Sequence, residues 1–110
     1  MPQIVPNDSF YTVFGWMQNV LELKGSELTI FAIIYGFSHD GKSEYEGSIS
    51  YLREFANIKS DQTVYAALKS LDETRHYIVK RPYMQGNVKR VAYRANLPLI
   101  AQLRGEGSNN

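Results

Sequence analysis

Apolar positions recur at helical spacing over two short stretches in the middle of this chain. The first opens at Ser48, a residue type that caps helix amino termini, and sets Ile49, Leu52, Phe55 and Ala56 on one side. The second opens at Ser60 and repeats Val64, Ala67, Leu68 and Leu71. Between them stand Asn57, a polar residue able to take left-handed backbone angles, and Ile58, an apolar one able to plug the angle between two helices. The pattern predicts two amphipathic helices with the second held rigidly across the first.

The period then changes from helical to alternating. Tyr77 to Tyr83 and Val88 to Arg94 are rich in Val, Ile and Tyr, and Gln85-Gly86-Asn87 between them is a turn signal with a glycine for positive φ. Alternation puts Val91 and Tyr93 on one face of this hairpin and Arg90 and Arg94 on the other. Pro82 lacks an N–H and marks an edge strand.

Upstream, Ser26 is read as the cap of a helix from Glu27 to Phe37. Leu28, Phe31, Ala32 and Tyr35 share one face and Ile30, Ile33, Ile34 and Phe37 another. A helix apolar on both sides belongs in the middle of a core, and Ser38-His39-Asp40-Gly41 ends it as a polar turn. Gly41 to Gly47 is a loop or one short strand around Tyr45 that would pair with the hairpin, with Glu44 and Glu46 on one side of it. Phe10 to Val13 is extended in character, and Gly15 to Leu23 suits a further short helix bearing Trp16, Met17, Val20 and Leu21. That element either covers one end of the core or serves as a dimerisation surface. Asn96-Leu97-Pro98 opens a last short helix. The expected fold is α+β: a winged helix-turn-helix domain over residues 1–104, with a three-helix core, a C-terminal β-hairpin wing and an extra N-terminal helix. Residues 105–110 hold no apolar side chain and are expected to be a disordered tail or the start of a linker.

Charge adds a function to this architecture. Residues 1–74 carry five Lys or Arg against ten Asp or Glu, whereas residues 75–110 carry seven against one. The net charge of +1 conceals this dipole. Arg75, Lys80, Arg81, Lys89, Arg90 and Arg94 supply six cations with no carboxylate between the first and the last, a ribbon suited to phosphate. On the second helix the side opposite Val64, Leu68 and Leu71 carries Gln62, Ala66, Lys69 and Glu73, flanked by Tyr65 and Ser70. Ala66 permits close approach to a groove, Gln62 can bond adenine bidentately and Lys69 can reach a phosphate. The expected DNA-reading set is Ser60, Asp61, Gln62, Thr63, Tyr65, Ala66 and Lys69. The alternatives are an ordinary solvated helix face and, for the hairpin, cations that guard an exposed edge.

Other chemistry is sparse. The absence of cysteine removes thiol catalysis, disulfides and Cys-based zinc sites. His39 and His76 sit in no zinc-protease pattern, and no phosphate-binding GxxxxGK[ST] loop occurs. Asp40, Glu44 and Glu46 lack further ligands at useful spacing, so no metal, cofactor or catalytic residue is assigned. His76, just past the second helix, is expected to take a left-handed capping position instead. With no apolar run of spanning length and no signal sequence, a cytoplasmic location without membrane contact is expected.

Over Tyr11 to about Arg81 the chain resembles the winged-helix domains at the amino-terminal end of phage and plasmid replication initiators and replisome organisers of Gram-positive bacteria. The resemblance rests on Gly15-Trp16-Met17, Leu23-Lys24-Gly25 with Glu27-Leu28, Phe31-Ala32-Ile33-Ile34-Tyr35-Gly36-Phe37-Ser38 with Asp40-Gly41, and Gly47-Ser48 followed by Tyr51-Leu52. It implies sequence-specific binding of double-stranded DNA at a replication origin, with the helix from Ser60 as reader and the hairpin as wing. A homodimer, through the extra N-terminal element, and other replication proteins are kept as further candidate partners. Transcriptional regulation and a protein-interaction winged helix remain alternative functions. The chain departs from the proteins it resembles in carrying Asp61 and Gln62 where they tend to have Lys or Arg, and Arg75-His76, with one extra residue, where they usually have glycine.

Overall fold

The structure is a computed structural model that describes residues 11–105. Phe10 and residues 106–110 of the expected tail lie outside that range. The chain runs α1 (Gly15–Asn19), α2 (Gly25–Ser38), α3 (Ile49–Phe55), α4 (Asp61–Lys69), β1 (Ile78–Gln85), β2 (Val88–Ala95) and α5 (Leu97–Leu103), and a π turn, Ser70–Thr74, prolongs α4. The described residues thus form an α+β arrangement of five α-helices and one two-stranded antiparallel sheet.

Helix α2 is the centre of the core. Its isoleucines are weak helix formers, each costing up to about 0.7 kcal/mol relative to alanine. Complete burial of Ile30, Phe31, Ile33 and Ile34 returns about 1.5–3 kcal/mol each, so packing decides the outcome. The helix begins earlier than Ser26, which does not cap it. Lys24 is the N-cap, its side chain makes no capping bond, and its carbonyl accepts from Leu28 N at 3.4 Å. At the other end Ser38 is part of the helix rather than of the turn after it, and it is buried. Its hydroxyl donates to Ile34 O at 2.7 Å and accepts from Ala95 N at 2.9 Å, tying α2 to β2. Phe37, expected in the core, is 40% exposed.

The capped helices form as their sequence dictates. Ser48 Oγ accepts from Tyr51 N at 3.0 Å at the start of α3, and Ser60 Oγ accepts from Gln62 N at 3.1 Å at the start of α4. Asn57 takes φ +57° and Ile58 packs against the core, so the turn between the helices is built from the two expected residues. Val64, Ala67, Leu68 and Leu71 are all buried and fix the rotation of α4 about its axis. Arg75 N closes the π turn on Ser70 O at 2.9 Å. That i→i+5 closure takes up one residue more than an α turn, and His76 then reverses the chain at φ +61°.

The hairpin pairs Ile78 with Ala95 through to Gln85 with Val88, around Gly86 at φ +62°. The third strand expected around Tyr45 is reduced to one bridge, in which Tyr45 and Tyr93 exchange backbone hydrogen bonds of 2.7 and 2.9 Å. Helix α1 ends at Asn19, short of the expected Leu23, and Glu22 adopts φ +59°. Met17, Leu21 and Leu23 are nonetheless buried, and Trp16 stands edge-on to Phe31 and Tyr35 with the Arg104 guanidinium 4.3 Å above its ring. This extra element therefore covers one end of the core. Helix α5 opens as expected, with Asn96 as N-cap and Pro98 in its first turn.

Candidate nucleic-acid interface

Because Val64, Ala67 and Leu68 face inward, the opposite side of α4 is set by geometry alone. Ser60, Asp61, Gln62, Thr63, Tyr65, Ala66 and Lys69 are all exposed, with the small Ala66 at the middle of the face and Tyr65 55% accessible. The Asp61 carboxylate does not point free into this surface. It accepts from Arg53 Nε on α3 at 2.7 Å and sits in the first turn of α4, where the helix dipole favours an anion. Arg53 is a residue that sequence reasoning missed. Its ion pair spans the turn between helices and offers no local spacing signal.

The hairpin register separates the five expected cations that lie on it. Residues opposite one another in an antiparallel pair share a face. Lys80 and Lys89 therefore lie with Ile78, Tyr93 and Ala95, the side that packs onto the core. Arg81, Arg90 and Arg94 lie on the other side, together with Tyr83. The division of Val91 and Tyr93 from Arg90 and Arg94 follows the expected alternation; the single continuous ribbon of six cations does not occur.

Two expected wing residues are moreover occupied. Arg81 forks Glu44, with Nη2 to Oε1 at 2.6 Å and Nε to both oxygens at 3.0 and 3.1 Å, and Arg94 Nε stands 3.9 Å from the same carboxylate. The Arg81 fork is the main cause that holds the Glu44 carboxyl below its ordinary range. Arg75 is not on the hairpin at all. It precedes β1, bonds Glu27 at 2.7 Å and stacks over Tyr77, so it joins the end of α4 to the start of α2. The reason is a tertiary one: Glu27 in α2 lies 48 residues away in the chain.

What remains beside α4 is a narrower surface. Tyr65, Leu68 and Lys69 of α4, Asp72 and Glu73 of the π turn, and Lys80 and Tyr93 of the hairpin line a groove of about 220 Å³. Lys89 continues the Lys80 side toward the hairpin tip, where Met84 and Val88 are 61% and 53% exposed. Lys69, Lys80, Lys89 and Arg90 form no ion pair among the described residues. Burial raises the Tyr93 phenol in this groove, and Tyr65 and Asp72 add to the shift.

A second concavity of about 400 Å³ lies elsewhere on the molecule. Tyr11, Phe14, Tyr35, Phe37 and Phe55 wall it. Asp40, expected in the polar turn after α2, organises the 40–43 turn by accepting from Lys42 N and Ser43 N, both at 2.8 Å. Among the described residues no three His, Asp or Glu side chains are grouped to hold a metal ion, and no helix is long and apolar enough to cross a membrane. No protein-family model matches the chain, and neither does a curated protein or a solved structure.

Proposed function

We propose that the chain is a winged helix-turn-helix domain that binds double-stranded DNA sequence-specifically, with α4 in the major groove and the Lys80–Lys89 side of the hairpin on the phosphate backbone. The order α2, α3, turn, α4, hairpin supports the fold. One observation carries the function: the outward side of α4 is uninterrupted and exposed, with Ala66 at its centre and Gln62 and Lys69 on either side of it along the helix. A helix so locked by Val64, Ala67 and Leu68 presents its side chains at fixed angles, as base reading requires. Gln62 reads a base edge, Thr63 and Tyr65 flank it, and Lys69, Lys80 and Lys89 contact phosphates. Ser60 acts as the cap that holds the amino end. The resemblance to replication initiators of phages and plasmids supports a role in replication initiation, and transcriptional regulation is the alternative that genomic position separates.

Asp72 and Glu73 in the same groove favour one rival, a protein-docking winged helix. Titration of a labelled duplex at several salt concentrations distinguishes the two, because each phosphate contact adds about 0.9 to the slope of log affinity against log salt. Gln62→Ala is expected to cost about 1–3 kcal/mol on the selected site and little on random DNA. Equal losses on both, or no binding at low salt, overturn the assignment.

A further inference from the structure

We propose that Glu44 is an internal stand-in for a phosphate, which occupies Arg81 and Arg94 on the far face of the hairpin and withholds them from nucleic acid. The inference rests on the DNA-binding reading above. A carboxylate forked by a guanidinium has the planar, two-bond geometry that the same guanidinium would offer to a phosphate. Here both Nε and Nη2 of Arg81 are used on Glu44, within 3.1 Å, and Glu46 adds a second carboxylate 3.9 Å from Nη2. Arg94 Nε stands 3.9 Å from Glu44 Oε2.

Exposure is unequal in a telling way. The Glu44 side chain is only 14% accessible, whereas those of Arg81 and Arg94 are 49% and 47% accessible. The anion is fixed and the cations stay reachable. Glu44 is held there by the chain itself, since the next residue, Tyr45, is buried and bridged through its backbone to Tyr93. Its ionised state is favoured by the fork. Glu44 and Glu46 therefore leave Arg90 as the one cation of this face without an ion pair among the described residues. Removing the Glu44 charge releases two arginines to a second row of phosphates and so raises the sequence-independent part of the binding.

The test uses the full chain and a fluorescent duplex of random sequence, titrated by anisotropy at several salt concentrations. Glu44→Gln keeps the shape and an acceptor oxygen, and its slope of log affinity against log salt is expected to steepen by about 0.9–1.8, one or two extra phosphates. Adding Arg81→Ala and Arg94→Ala to Glu44→Gln is expected to remove that gain. Glu44→Asp, which keeps the charge but draws it back from Arg81, serves if the amide variant does not fold and is expected to steepen the slope by less. Wild-type binding with the same slope in all the Glu44 variants overturns this inference and leaves the DNA reading standing. Failure of the wild type to bind any duplex at low salt overturns both.

Discussion

Gly47→Ala is the substitution whose consequence the structure defines most sharply. A Cβ built at Gly47 lies 2.6 Å from the Tyr45 hydroxyl and 2.8 Å from Cζ, closer than real Cβ atoms come, and 3.0 Å from Cε1. Tyr45 has nowhere to retreat: it is 1% exposed, donates to Ser48 O at 2.6 Å, meets Phe37 edge-on and is bridged to Tyr93. Overpacking of this kind costs about 1–3 kcal/mol, and each kcal/mol lowers Tm by about 4–8 °C in a domain of this size. Urea and thermal denaturation followed by circular dichroism measure it. Tyr45→Phe alone loses the bond to Ser48, worth about 0.5–1.5 kcal/mol. That loss is softened because Ser48 O also accepts from Leu52 N. In the Gly47→Ala background the same change removes the nearest clash, so the double variant should be more stable than the sum of the singles by about 0.5 kcal/mol or more. If Gly47→Ala falls within about 0.5 kcal/mol of wild type, or if the two costs simply add, the account of Tyr45 as an immovable bridge between the 44–48 segment and the hairpin is refuted.

Ser38→Ala should cost about 1–3 kcal/mol in urea unfolding, because it leaves the buried Ala95 N–H without its acceptor; a loss below about 0.5 kcal/mol would contradict that role. Asp40 titrates at about 2 rather than near 4, since Lys42 N, Ser43 N and the Ser43 hydroxyl all donate to its ionised form. The folded value is depressed, so its contribution to stability is present above the unfolded value, near 3.9, and lost as pH falls through about 2. A side-chain carbonyl titration by NMR checks this, and a midpoint near 4 would refute it. Ser60→Ala, which removes the acceptor for Gln62 N, should destabilise the domain by about 0.5–2 kcal/mol, whereas an unchanged unfolding midpoint would rule out the cap.

The features that were legible in the sequence are those whose causes are local. Ser48 and Ser60 cap because the donors they satisfy lie two or three residues on. Asn57 and Gly86 take positive φ because the turns they sit in leave no other choice, and His76 does so just past the π turn. The hairpin faces follow from strict alternation about Gly86. What stayed hidden depends on partners far along the chain. Arg81 reads as a phosphate contact until Glu44, 37 positions earlier, is brought beside it. Arg75 is diverted in the same way by Glu27. Ser38 looks like a turn residue because nothing nearby announces that Ala95 N will need its hydroxyl. Helix α2 starts at Gly25, one residue before Ser26, and Gly25 takes φ +62°, an angle open to glycine.

The central claim, that α4 and the Lys80–Lys89 side of the hairpin form one surface for duplex DNA, is tested most directly by amide chemical-shift mapping. A labelled sample of the chain is titrated with a short duplex carrying a site selected from a random library. The account predicts that perturbations cluster at Gln62, Thr63, Tyr65, Ala66 and Lys69 together with Lys80 and Lys89, and spare Tyr35, Phe37 and Phe55 on the aromatic groove. Perturbations confined to that groove, or a spectrum that duplex DNA leaves unchanged at low salt, would contradict it.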